Sequence, residues 1–177
     1  PNEDLFSQSS FDVITRIRDD FRTLQPVESV ISLVDVPLVR QVEGTLTDVA
    51  DNVRTIEGGG LDIEKVKQEL FNSPIYKELI ISEDGQTTAI QINLKDNPEF
   101  RDLQRERNQL LIKADTEGLD GAEQTRLDEI LVEYTAKKNV IDKTNHDNII
   151  DIREIISKYQ QYGTLHMGGV TMITDDM

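Results

Sequence analysis

The side chains best suited to chemistry in this sequence are its two histidines, His146 and His166, and a few paired acids. The histidines are far apart and have different neighbours. A zinc site needs further ligands at recognisable spacing, and the chain has no cysteine and no third histidine. One therefore reads as a helix-junction residue and the other as a strand residue. Asp19-Asp20 and Asp175-Asp176 would be carboxylate pairs for acid–base work, but adjacent residues on a helix do not face each other, so solvation explains them better. "EGGG" at 57–60 has the glycines of a phosphate loop but lacks the preceding strand and the Lys-Ser/Thr ending, and reads as a linker. "SEDG" at 82–85 lacks the alternating oxygen ligands and closing Glu of a calcium loop, and reads as a turn. No serine sits in a nucleophile elbow. The sequence thus nominates no catalytic, cofactor-binding or metal-binding residue, and the expectation is a protein that is not an enzyme and needs no cofactor.

Composition narrows the partners. The 177 residues carry a net charge of −15. That charge repels nucleic-acid phosphates and, at close range, anionic lipid headgroups. The absence of cysteine excludes a disulfide scaffold and suits either the cytoplasm or a bacterial periplasm. No apolar run approaches the roughly 20 residues of a membrane span, and no signal peptide is visible. Pro1 and Met177 read as cut ends of a longer chain, whose membrane segments would lie outside.

The elements follow from periodicity. Phe11, Ile14, Ile17, Arg18, Phe21 and Leu24 have helical spacing with the apolar members on one face; Ser9 or Ser10 can cap the helix and Pro26 stops it. "VESVISLVDV" at 27–36 is rich in β-branched residues and predicts a strand ending at Pro37. Residues 38–60 read as a surface loop. A second helix is capped by Asp62, turns Val66 and Leu70 inward and ends before Pro74. A β-hairpin is predicted next, with 79–81 against 88–94 across Asp84-Gly85, and Ile90, Ile92 and Leu94 on its core face. From Asn97 the pattern becomes long, charged and thinly apolar. Phe100, Leu103, Leu110 and Ala114 mark one helix, and Leu127, Ile130, Leu131, Tyr134 and Ile141 mark another. Gly118 is the C-cap candidate between them. A fuller face at Ile149, Ile152, Ile156 and Tyr159 predicts a separate core helix over 146–161, and 164–170 predicts a last strand.

The expected fold is α+β: a ferredoxin-like antiparallel sheet of 27–36, 79–81, 88–94 and 164–170 with helices on one face, its first strand expected ahead of Pro1, plus a protruding antiparallel helical hairpin. The domains are then 1–96 with 146–177, and an inserted hairpin over 97–145. An unpaired edge left by a missing strand predicts self-association.

Three blocks resemble one family. "PVESVISLVDVPLV" (26–39), "LDIEKVKQELFNSPIYKELIISEDGQTTAIQINL" (61–94) and "YGTLHMGGVTMITDDM" (162–177) are similar, in order, to the extracytoplasmic porter loop of resistance–nodulation–division (RND) superfamily exporters. The likeness is to the lipid-exporter branch that includes the mycobacterial large membrane proteins. The resemblance implies a periplasmic loop of an inner-membrane protein, with ferredoxin-like subdomains, on the route of a hydrophobic or lipid-like substrate. It also implies that the proton-coupling acids lie in membrane segments outside this chain. The helical hairpin departs from the family's short connection. It keeps open a second class of function, a soluble interaction module that docks a partner through a coiled-coil hairpin.

Overall fold

The structure is a computed structural model, and it describes residues 4–38, 54–77 and 79–169. The chain divides into two compact units, Pro1–Leu94 with Glu154–Leu165, and Lys95–Arg153 with His166–Met177. It has mixed helix and strand, with four α-helices and a two-stranded antiparallel sheet among the described residues.

In the first unit, helix α1 (Gln8–Arg22) buries Phe11, Ile14, Ile17 and Phe21. Its cap is Ser7 rather than Ser9 or Ser10. Ser7 is extended, and its hydroxyl accepts the Ser10 amide at 3.2 Å. The Ser10 hydroxyl instead donates to the Asp4 carbonyl at 2.9 Å, which ties the incoming chain to the first turn. Helix α2 (Ile63–Asn72) starts at the predicted cap, where the Asp62 side chain accepts the Glu64 amide at 3.1 Å. Val66 and Leu70 are wholly buried on its inner face.

Strand β1 (Val27–Ile31) pairs antiparallel with β2 (Gln91–Leu94), with Val27 opposite Leu94 and Val30 opposite Ile92. The register shifts between Val27 and Ser29. Val27 and Val30 are three apart, so strict alternation would put them on opposite faces. The bulge at Glu28 brings both to the buried side. The strand predicted over 27–36 stops at Ile31 because Ser32 and Asp35 close a 3-10 turn over Leu33–Asp35. The Asp35 carboxylate accepts both the Ser32 amide, at 2.9 Å, and its hydroxyl, at 2.5 Å.

The pairing expected between 79–81 and 88–94 is also corrected. Only the bridge Ile81–Thr88 and its neighbouring bonds remain, among them the Ala89 amide to the Ile80 carbonyl at 3.0 Å. Residues 91–94 take β1 as their partner instead. Successive Ile80 and Ile81 are both buried while Leu79 is exposed, which a flat strand cannot achieve; a parallel bridge from Lys77 to Ile81 shows the chain curling there. The turn itself forms at Asp84-Gly85. Gly85 has φ of 67°, and a Cβ there would lie 2.8 Å from the tip of the Phe71 ring. Ile90, Ile92 and Leu94 are half-buried, and Ile90 packs on the core of Phe6, Phe11, Leu33, Val34, Leu38, Ile56, Val66, Leu70 and Ile81. Of the predicted loop over 38–60, residues 39–53 lie outside the described residues; Ile56–Gly58 form a 3-10 turn, and Leu38 bridges Arg54. Thr164–Gly169 hold no strand, and the rest of that predicted strand lies outside the described residues. The four-stranded sheet is therefore replaced by two strands among the described residues.

In the second unit, α3 (Pro98–Thr116) and α4 (Gly121–Tyr159, which runs on into the first unit's segment) are joined by a short turn. Asn97 caps α3 through the Phe100 amide, and Gly118, at φ 82°, follows its end as predicted. Asp120 and Glu123 then form a reciprocal capping box, each side chain accepting the other's amide, at 2.8 and 3.1 Å. The helix break expected near 143–146 is absent. Residues 122–162 contain no glycine or proline, and the polar run Asn145–Asn148 lowers helix propensity without removing a backbone donor. Inward-leaning positions continue through it at steps of three or four, from Leu127, Ile130, Tyr134, Lys137 and Ile141 to Asn145, Asn148, Ile152, Ile155 and Tyr159.

Candidate functional site

The most developed polar constellation lies on α1, in the first unit. Arg18 follows Ile17 onto the buried side of the helix and is only 2% exposed. A cation there must be neutralised and its donors satisfied. Three carboxylates do both. Glu57, from the 3-10 turn Ile56–Gly58, takes the guanidinium fork with two bonds of 2.7 Å. Asp35 accepts Nη1 at 2.7 Å, and neighbouring Asp19 accepts Nε at 2.9 Å. Arg22, one turn on, also reaches Asp35 at 3.0 Å and the Val30 carbonyl of β1 at 3.2 Å. One side chain thus ties α1 to both 3-10 turns, and its neighbour ties α1 to the sheet.

The electrostatics follow from the geometry. The Glu57 bonds raise the Arg18 pKa, with burial opposing and Asp19 and Asp35 adding to the rise. The Arg18 hydrogen bonds hold the Glu57 carboxyl below the ordinary carboxylate value. Burial alone would push Asp35 up, but the Ser32 hydroxyl and amide and the Arg18 charge outweigh it, and its pKa also falls. These acids stay ionised near neutrality and make poor proton donors. The guanidinium has no lone pair to offer and its fork is filled. The cluster is suited to holding segments together rather than to proton transfer.

The residues singled out in the sequence do not join it as a set. His146 lies exposed on α4 and His166 exposed beyond it. Asp19 and Asp20 part company: Asp19 serves Arg18, whereas Asp20 accepts the Tyr159 hydroxyl at 3.0 Å. Asp175 and Asp176 lie outside the described residues. "EGGG" is more than a linker, because its Glu57 is the principal partner of Arg18. Sequence reasoning missed this cluster. Its one local signal was a cation on the otherwise apolar face of α1. No group of three or more acids and histidines suited to a metal is found among the described residues.

The second unit carries a different feature. An open groove of about 370 Å³ runs along α3 and α4, lined by Glu106, Gln109, Leu110, Lys113, Ala122, Glu123 and Arg126. Its charges are already matched: Arg126 grips Glu106 with bonds of 2.8 and 2.9 Å, and Lys113 pairs with Glu123. Farther along, Tyr134 stacks on Phe100 at 5.1 Å and carries the Arg107 guanidinium 4.0 Å from its ring centre. Contacts therefore descend α3 as they climb α4, with Leu103, Leu127 and Ile130 buried along the way. No helix among the described residues is long and apolar enough to cross a membrane. No protein-family model, curated protein or solved structure matches the chain.

Proposed function

We propose that this chain is an extracytoplasmic loop of a proton-driven RND-superfamily exporter, in the lipid-exporter branch, on the route of a hydrophobic or lipid-like substrate. The observation that carries the reading is the order of the three sequence blocks, 26–39, 61–94 and 162–177. The pairing of β1 with β2 supports it, because it brings the start of the first block against the end of the second, Val27 opposite Leu94. On this reading the loop does no bond-making chemistry and binds no cofactor. It is a periplasmic part of an inner-membrane protein, its two-stranded sheet belongs to a ferredoxin-like subdomain, and α3 with α4 form an inserted helical hairpin.

The continuous ladder of contacts from Phe100–Tyr134 to Lys113–Glu123 favours one second reading, an interaction module in which that hairpin docks a partner. The parent gene separates the two. Apolar runs of about 20 residues on both sides of this segment belong to the exporter, and polar flanks to the module. A functional test follows in the parent. Ile92→Asp places a charge opposite Val30 in the β1–β2 pair, so the loop should misfold and export should fail. Normal export with a loop shown to be misfolded would remove this segment from the transport route.

A further inference from the structure

We propose that the Arg18–Glu57 pair is a clasp, and that the turn around Glu57 swings away from α1 as a unit while the rest of the fold stays closed. The inference stands apart from the exporter reading. It rests on an asymmetry. Arg18 is 2% exposed and fixed within a helix, whereas the Glu57 side chain is 48% exposed and sits on a three-residue 3-10 turn. Gly59 and Gly60 follow at φ 68° and 69°, and a Cβ at either would meet nothing within 4 Å. Two glycines in open space at left-handed φ form a ready hinge.

Charge count makes the opening feasible. A buried guanidinium abandoned by its last carboxylate is costly. Among the described residues Arg18 has three, and two do not belong to the moving turn. Asp19 is its neighbour on α1, and Asp35 is held by the Ser32 amide and hydroxyl. When Glu57 leaves, Arg18 remains paired on Nε and Nη1, and the half-exposed Glu57 carboxylate passes into water. The turn takes Ile56 from its buried seat in the apolar core, and breaks the Leu38 amide's 2.8 Å bond to the Arg54 carbonyl. The opened state thus uncovers a small apolar seat next to a charged one.

Hydrogen exchange on the full chain in increasing urea tests this. The reporter is the amide of Leu38, whose bond to the Arg54 carbonyl the opening breaks, whereas the turn's own Gly58–Thr55 and Gly59–Ile56 bonds travel with it; the amides of Phe21 and Val66 report the helices. The Leu38 amide should exchange faster than the helix amides and with little urea dependence, because a local opening exposes little surface. Glu57→Gln should speed it about 10- to 100-fold, the loss of a charge-assisted pair. Asp19→Asn should leave it nearly unchanged, since that contact persists in the open state. The proposal is overturned if the wild-type Leu38 amide shares the rate and urea dependence of Phe21 and Val66. It is equally overturned if Glu57→Gln leaves it unchanged, or if Asp19→Asn speeds it as much.

Discussion

Arg18 sits where an isoleucine or leucine would have continued the apolar stripe of α1, and its environment has been built to suit it. The value of such a buried pair lies in the cost of breaking it on one side. Arg18→Met keeps the bulk but strands Asp35, which is 18% exposed, beside Glu57 and Asp19 with Arg22 as the remaining cation among the described residues. The expected loss is about 3 kcal/mol of unfolding free energy, read by urea denaturation. An unchanged midpoint would show that the acids simply relax into water. The same cluster sets an acid dependence. Glu57 and Asp35 have folded pKa values below their ordinary 4.5 and 3.8. Their stabilisation is therefore complete above those ordinary values and is lost as pH falls through the lower folded ones. Arg18 stays charged throughout. Wild type should thus exceed Glu57→Gln in stability at pH 7, and the gap should close as pH falls below about 4. A gap that held constant into acid would mean that Glu57 contributes shape rather than charge.

Elements were legible in the sequence where the information is local. The faces of α1 and α2, the Asp62 cap, the turn at Asp84-Gly85 and the stop at Gly118 all follow from spacing and from the few residues that punctuate a chain. What escaped was set by distant partners. The choice of β1 over 79–81 as the partner of 91–94 depends on a bulge at Glu28 that no alternation pattern announces. Glu57 is 39 positions from Arg18, so their bond left only the misplaced cation as a trace. The continuity of α4 was hidden by Asn145–Asn148, which read as a break although nothing there prevents helical bonds. The Asp120–Glu123 box gives this scale its prediction. Asp120→Ala removes the acceptor for the Glu123 amide and should cost about 1 kcal/mol, seen as a lower urea midpoint with fraying at the start of α4. Equal exchange of the first-turn amides in variant and wild type would show that the neighbouring Lys113–Glu123 pair already fixes the turn.

At the scale of the whole molecule, buried apolar residues occur in both units. The cluster from Phe6 to Ile81 lies within the first unit, and none of its members among the described residues falls between Lys95 and Arg153. In the second unit α3 contributes a single buried apolar residue, Leu103, and the first part of α4 contributes Leu127 and Ile130. The rest of their pairing is ionic and aromatic, from Arg126–Glu106 to Tyr134 over Phe100. Exposed ion pairs of this kind add little each. A core that holds twelve buried residues should outlast the loss of a pairing that holds three. Replacing 98–143 by a short flexible linker should therefore leave one cooperative urea transition. Its slope should be smaller than in the full chain, because less surface is exposed on unfolding. Circular dichroism should lose helix and keep a sharp midpoint. A broad transition, or a collapsed state that binds hydrophobic dyes, would instead make the long helices a condition for folding of the sheet-bearing unit.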